Sequence, residues 1–363
     1  MSEKNTLPAL FSHYPELKNK LAWTPLGSFP TPVQQLKNLG CDNLWVKRDD
    51  QTSPVYGGNK VRKLEFLLAD AIKKKSKRVI TFGAIGTNHG LATSIYSRKL
   101  GLDCTLLLFR QPVTKNVKQN LLLFKKYHAK TIYKKTVLKT LISFYLTQKI
   151  RHPGAYSIFA GGSNSIGTIG FVNAAFELKS QIEQGLIPEP EIIFCPAGST
   201  GTAAGLLLGT LLAGLNTPIR SVRVTASHFG PLPHCTSASI QKLAENTYHY
   251  LKNICKDIPK IKIKPPQVLD DYFGEGYGQV TDKGKNAYRQ LKEKENIILD
   301  PTYTSKTFAA VLDYCAKPEN KGKSILYWHT YNSVDMSEQA KSIDHGHLPK
   351  NLQKFIEADE IGF

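Results

Sequence analysis

From Gly57 onward the chain alternates short apolar runs with amphipathic stretches. Val61, Leu64, Leu67, Leu68, Ala71 and Ile72 recur at helical spacing, which predicts an amphipathic helix over 59–75 opened by the pair Gly57 and Gly58. Lys60 then falls in its first turn. A strand follows at Arg78 to Phe82, then the loop GAIGTNHG, a helix stopped by Gly101 and an apolar strand at 104–109. The unit repeats with a helix near 115–127, a strand at 131–133, a helix near 136–150 and a strand near 156–159. A second series holds a helix near 166–187, the strand EIIFCPA at 191–197, a helix after Gly201, a strand at 219–226 and a late strand SILYWHT at 324–330. Such alternation implies parallel sheets covered on both faces. The expected fold class is α/β, with two open twisted parallel-sheet domains, helices on both faces of each, and a cleft between them.

Length agrees with this division, because 363 residues exceed the size at which single cores usually stop growing. The net charge of +19 raises the question of nucleic acid. Its lysines are dispersed, however, and runs such as Lys73-Lys74-Lys75, Lys125-Lys126 and Lys134-Lys135 sit where elements should end. No nucleic-acid partner is expected; a general pull on anionic substrates or surfaces remains open. The six cysteines form no CxxC pair, so neither a structural metal nor a disulfide framework is expected. The beginning MSEKNTLPALFSHYPEL lacks the order of a secretory signal, and the apolar window Thr202 to Leu215 is short and interrupted by glycine. A cytoplasmic protein without a membrane span is the expectation.

Chemistry concentrates in two places. The segment FCPAGSTGTAAG runs from an apolar strand through small residues into a helix, so Gly198, Ser199, Thr200, Gly201 and Thr202 offer backbone amides and a helix N-terminus to a phosphate. It matches neither GxGxxG nor GxxxxGK[ST], and a tight turn with a Ser/Thr helix cap would read the same way. The other place is VKRDDQTSPVYGGNKVRKLEF, where Lys60 has Arg62 and Lys63 close by. Burial and cationic neighbours favour the neutral amine that imine chemistry needs.

Taken in order, KRDD, GGNKxRKLE, GAIxTNH, GGSN, AGSTGT, DDYFGEGYG, DPTYTSK and HT make the chain resemble the 1-aminocyclopropane-1-carboxylate deaminase and D-cysteine desulfhydrase family, from about Thr24 to Thr330. That family uses pyridoxal 5′-phosphate and has the tryptophan synthase β-like fold, fold type II. The resemblance implies a large cofactor-binding domain of residues 1–62 and 172–363, a small domain of residues 63–171, and an active site in the cleft. It implies Lys60 as the Schiff-base lysine, Lys63 as a phosphate contact, Asn88 as partner of the cofactor's phenolic oxygen, and Thr87 where the family usually has a substrate-facing serine. Tyr277 and Tyr303 match two active-site tyrosines, and Thr304 and Thr330 fall near the expected ring nitrogen. The implied reaction is β-elimination from a small amino acid such as D-cysteine, giving pyruvate, ammonia and sulfide, in a homodimer. Deaminases of the family typically carry glutamate after the second tyrosine, where this chain has Thr304. Deamination of 1-aminocyclopropane-1-carboxylate is the alternative reaction, and a cofactor-binding protein with lost or redirected catalysis is another. The latter is suggested by Tyr331 and Asn332, which replace the two glycines of the family's HTGG.

Overall fold

The computed structural model of the chain describes residues 7–361. The first six residues of the segment read for a targeting signal lie outside that range.

Two sheets carry the alternation. Four strands, in the order Lys130–Tyr133, Asp103–Phe109, Arg78–Ala84 and Tyr156–Ser157, form one all-parallel sheet. The second sheet has six strands, Val33–Gln35, Leu44–Arg48, Ile325–His329, Ile192–Ala197, Ile219–Arg223 and Gln267–Leu269 in spatial order. All its pairings are parallel except the edge, where Val33–Gln35 runs antiparallel to Leu44–Arg48. The expectation of purely parallel sheets is corrected at this strand, which needs no crossover helix because it enters along the rim. Central strands are buried throughout, as in Ile192–Ala197 and Ile325–His329, which explains their continuous rather than alternating apolar text.

Predicted boundaries move by a residue or two at several elements and by more at three. The helix expected to reach 187 ends at Glu183, where the chain turns at Gly185 with φ 71°. The strand expected to reach 226 stops at Arg223. The helix near 136–150 consists of Val137–Ile142 and Gln148–Arg151 joined by a wide π turn at Ser143–Thr147.

The helix Lys60–Lys73 is wedged between the two sheets, with ten of its fourteen residues buried. Its Arg62 sits in a buried charge network. The guanidinium donates to Asp49 and Glu177, Lys47 donates to Glu177, and Trp328 Nε1 donates to Asp49 Oδ2 at 2.7 Å. Arg62 and Lys47 more than offset the upward push of burial on Glu177 and hold its carboxyl near 2. These contacts fix the start of the helix to two strands of the six-stranded sheet and to the helix Ser165–Glu183. Beyond Asn332 the chain returns to the four-stranded sheet, where Met336, Ala340, Leu348, Leu352 and Phe355 join that core.

Candidate active site

A cavity of about 530 Å³ lies between the sheets at the carboxyl ends of strands from both. Ala84 and Phe109 reach it from one sheet, and Pro196, Gly198 and Thr330 from the other. Open α/β sheets place ligands there, because loops leaving the strand ends converge on the helix N-termini that follow.

Of the residues singled out from the sequence, Lys60, Thr87, Asn88, Gly198, Ser199, Thr200, Thr202, Tyr277, Tyr303 and Thr330 line this cavity. Lys60 Nζ donates to Asn59 Oδ1 at 2.9 Å, and Asn59 Nδ2 donates to Thr202 Oγ1 at 3.0 Å. Asn59 therefore couples the lysine to the small-residue loop about 140 residues later. Burial lowers the Lys60 ammonium to about 8, although nearby Asp300 pulls the other way. The approach to Lys60 depends on Gly58, at φ +92°, where a Cβ would stand 3.0 Å from the Thr330 carbonyl.

Lys63 and Gly201 lie just behind the cavity wall. Lys63 Nζ is buried and has only neutral acceptors, the Gly161 carbonyl at 3.1 Å and Ser163 Oγ at 3.4 Å. Burial, then the neighbouring Lys60, push its pKa well below the usual lysine value. Thr200 adopts φ 66° and releases the chain into the helix Gly201–Leu212, whose first amides point at the loop. A Cβ at Gly201 would meet Ser163 Oγ at 2.5 Å and Lys63 Nζ at 2.8 Å. A buried lysine whose acceptors among the described residues are all neutral, beside a helix N-terminus whose first amide rests on the exchangeable Ser163 hydroxyl, is a fitting seat for a phosphate group, whose charge would favour the ammonium form.

At the other side, Thr87 Oγ1 caps the helix Asn88–Lys99 by accepting from Gly90 N. Asn88 Oδ1 accepts from Asn120 Nδ2 at 3.1 Å, which leaves the Asn88 amide to donate elsewhere. His89 lines the cavity with Nε2 on Thr81 Oγ1 at 3.0 Å, and its buried Nδ1 has no partner. Burial, with Lys60 and Lys63, keeps this imidazole neutral. The hydroxyls of Tyr277 and Tyr303 share a hydrogen bond of 2.6 Å. Burial raises both, Tyr277 to about 12, so at neutral pH each holds its proton.

Thr304 departs from expectation. It is fully buried outside the cavity, and its hydroxyl donates to Asp300 Oδ1 at 2.7 Å. Asp300 does line the cavity, yet its carboxylate also accepts from the backbone amides of Thr302, Tyr303 and Thr304. Of the two threonines expected near the ring nitrogen, Thr330 is the one that lines the cavity.

Asn59, Ser163 and Asp300 were not singled out from the sequence, although each sits inside a quoted motif, GGNK, GGSN and DPTYTSK. Asn120 had no sequence signal. The two replacements after Thr330 have structural roles. Asn332 Oδ1 accepts from Gly57 N at 2.6 Å and steadies the turn ahead of Lys60. Tyr331 lines the cavity and accepts from Asn116 Nδ2 at 2.9 Å, which joins the two sides of the cleft.

Comparison with known proteins agrees with this geometry. Residues 24–330 match the family model described as pyridoxal-phosphate dependent enzyme. A Pyrococcus horikoshii protein provisionally named 1-aminocyclopropane-1-carboxylate deaminase is 36% identical, over 83% of this chain and 88% of its own. A D-cysteine desulfhydrase of Klebsiella pneumoniae is 32% identical, over 83% of this chain and 91% of its own. Among solved structures, one described as an ACC deaminase homologue superposes with a TM-score of 0.76 at 30% identity, covering 93% of this chain and 99% of that one.

Proposed function

The chain belongs to the pyridoxal-phosphate dependent enzyme family and is a lyase of the deaminase and desulfhydrase type, and from that premise we propose that it catalyses β-elimination from D-cysteine or a closely related small amino acid. Lys60 would hold the cofactor covalently. Lys63, Ser199, Thr200, Thr202 and the amide of Gly201 would hold its phosphate, Asn88 its phenolic oxygen, and Thr330 its ring nitrogen. Pyridoxal phosphate supplies an electron sink that lets a bond at the substrate α-carbon break.

The chain's own residues supply positioning and proton transfer. A Lys60 amine with its pKa near 8 is suited to take up the α-proton, since a base works best when poised close to the working pH. The protonated Tyr277–Tyr303 pair can deliver one proton to a departing group, share the remaining proton across their hydrogen bond, and recover the lost one from solvent as the products leave. Thr87 and the start of the helix Asn88–Lys99 offer a hydroxyl and backbone amides to a substrate carboxylate.

One observation supports elimination over ring opening. Where the deaminase pattern puts a glutamate, Thr304 is committed to Asp300, and the Asp300 carboxylate is already engaged by four donors. The ring nitrogen would then meet the neutral hydroxyl of Thr330, a weaker activation suited to a good leaving group such as a thiol. The proposal includes a homodimer, taken over from the family resemblance, in the cytoplasm, the location expected from the sequence.

Purified protein supplied with D-cysteine is expected to release pyruvate and sulfide, and Lys60→Ala is expected to release neither. Release of 2-oxobutanoate from 1-aminocyclopropane-1-carboxylate, with D-cysteine inert, would favour the deaminase. Retained cofactor with no turnover of these or other D- and L-amino acids would assign a cofactor-binding protein with lost or redirected catalysis.

A further inference from the structure

The helical segment 137–151 has two faces. On its inner side Val137 and Leu141 line the cavity, and Phe144 and Gln148 are buried. On its outer side Leu138, Ile142, Tyr145, Leu146 and Ile150 are 67%, 49%, 51%, 60% and 79% exposed. Among the described residues fourteen large hydrophobic side chains are exposed, and five of them fall within these thirteen positions. Single exposed apolar residues are ordinary, whereas a concentration on one element marks a contact surface.

The charge along this stretch of the chain is equally one-sided. Between Asp103 and Glu177 there is no acidic residue, while eleven Lys or Arg occur. Lys135, Lys139, Lys149 and Arg151, within or next to the segment, are exposed. The dispersal that argues against a nucleic-acid partner thus hides a strong local asymmetry.

These two features narrow what covers the face. A second copy would bring the same basic surface against itself, because a two-fold interface pairs identical patches. Nucleic acid would answer the lysines but not five exposed apolar side chains. An anionic lipid surface answers both: apolar side chains enter the boundary of the acyl chains, and lysines reach the headgroups with their stems along the helix.

We propose that the segment 137–151 docks this protein reversibly on an anionic membrane surface. It lies along the interface and does not cross it, for no helix among the described residues is long and apolar enough to span a membrane. Lys135, Lys139, Lys149 and Arg151 find their use here.

Co-sedimentation of the holoenzyme with vesicles tests this. Binding is expected to vesicles of phosphatidylcholine mixed with phosphatidylserine, and not to phosphatidylcholine alone. The double variant L146S/I150S, altered only at exposed positions outside the cavity, is expected to lose at least about tenfold in binding, roughly the 1.4 kcal/mol of one decade. Its visible spectrum and turnover should equal the wild type's. The proposal is overturned if the wild type stays in solution, if both vesicle types bind alike, or if L146S/I150S binds as the wild type does. A wild-type oligomer that this variant splits, without vesicle binding, would give the face to a second copy. Equally tight, variant-sensitive binding to an acidic polypeptide would give it to a protein partner.

Discussion

At the scale of single residues, the environment of Lys60 has a kinetic consequence. With its ammonium lowered to about 8 by burial, roughly a tenth of the amine is neutral at pH 7, against fewer than one in a thousand for an ordinary lysine. Raising the pH through 8 removes the proton and creates the nucleophile, so covalent uptake of pyridoxal phosphate by the apoprotein should accelerate and then level off above about 8. A rate still climbing beyond pH 10 would show that Lys60 titrates as a free side chain. The candidate lysine was legible in the sequence because its glycine pair and helical spacing are local features. The Thr304 position was not, since the direction of its side chain depends on the Asp300 carboxylate that folds back over the start of the helix Thr304–Cys315. Asn120 escaped for a similar reason: only packing of the helix Lys115–Lys126 beside the loop at Gly86 brings it to Asn88.

At the scale of elements, the helix Lys60–Lys73 is held at its start by buried charges as well as along its length by its apolar stripe. Removing Glu177 leaves Arg62 and Lys47 buried with too few acceptors, and breaking a buried pair in this way costs about 3–5 kcal/mol. Glu177→Ala should therefore lower the denaturant midpoint sharply and weaken cofactor retention together, since the same helix carries Lys60. A midpoint within experimental error of the wild type would show that the network relaxes at little cost. Elements with continuous apolar text, such as Ile192–Ala197, were readable directly. The helices Ser237–Ile254 and Asp282–Glu295 are missing from the sequence expectations although their buried positions recur at helical spacing, as at Ile240, Ala244, Thr247 and Leu251 and at Gly284, Ala287 and Leu291. The antiparallel edge strand Val33–Gln35 is three residues long, too short to show a period.

At the scale of the whole molecule, two sheets meet so that the carboxyl ends of their strands share one cavity, and the long-range pairs close it. Asn59 reaches Thr202, Tyr331 reaches Asn116, and Ser163 Oγ donates to Ser199 Oγ at 2.8 Å. None of these pairings is visible along the chain, because each joins residues brought together only by the fold. The cofactor attachment at Lys60 is the claim on which the site, the chemistry and the pH behaviour all depend. The most direct measurement is reduction of the holoenzyme with borohydride, proteolysis and mass spectrometry of the labelled peptide. A single pyridoxyl adduct on Lys60, absent in Lys60→Ala, is the predicted result; an adduct on another lysine, or none, would contradict the account.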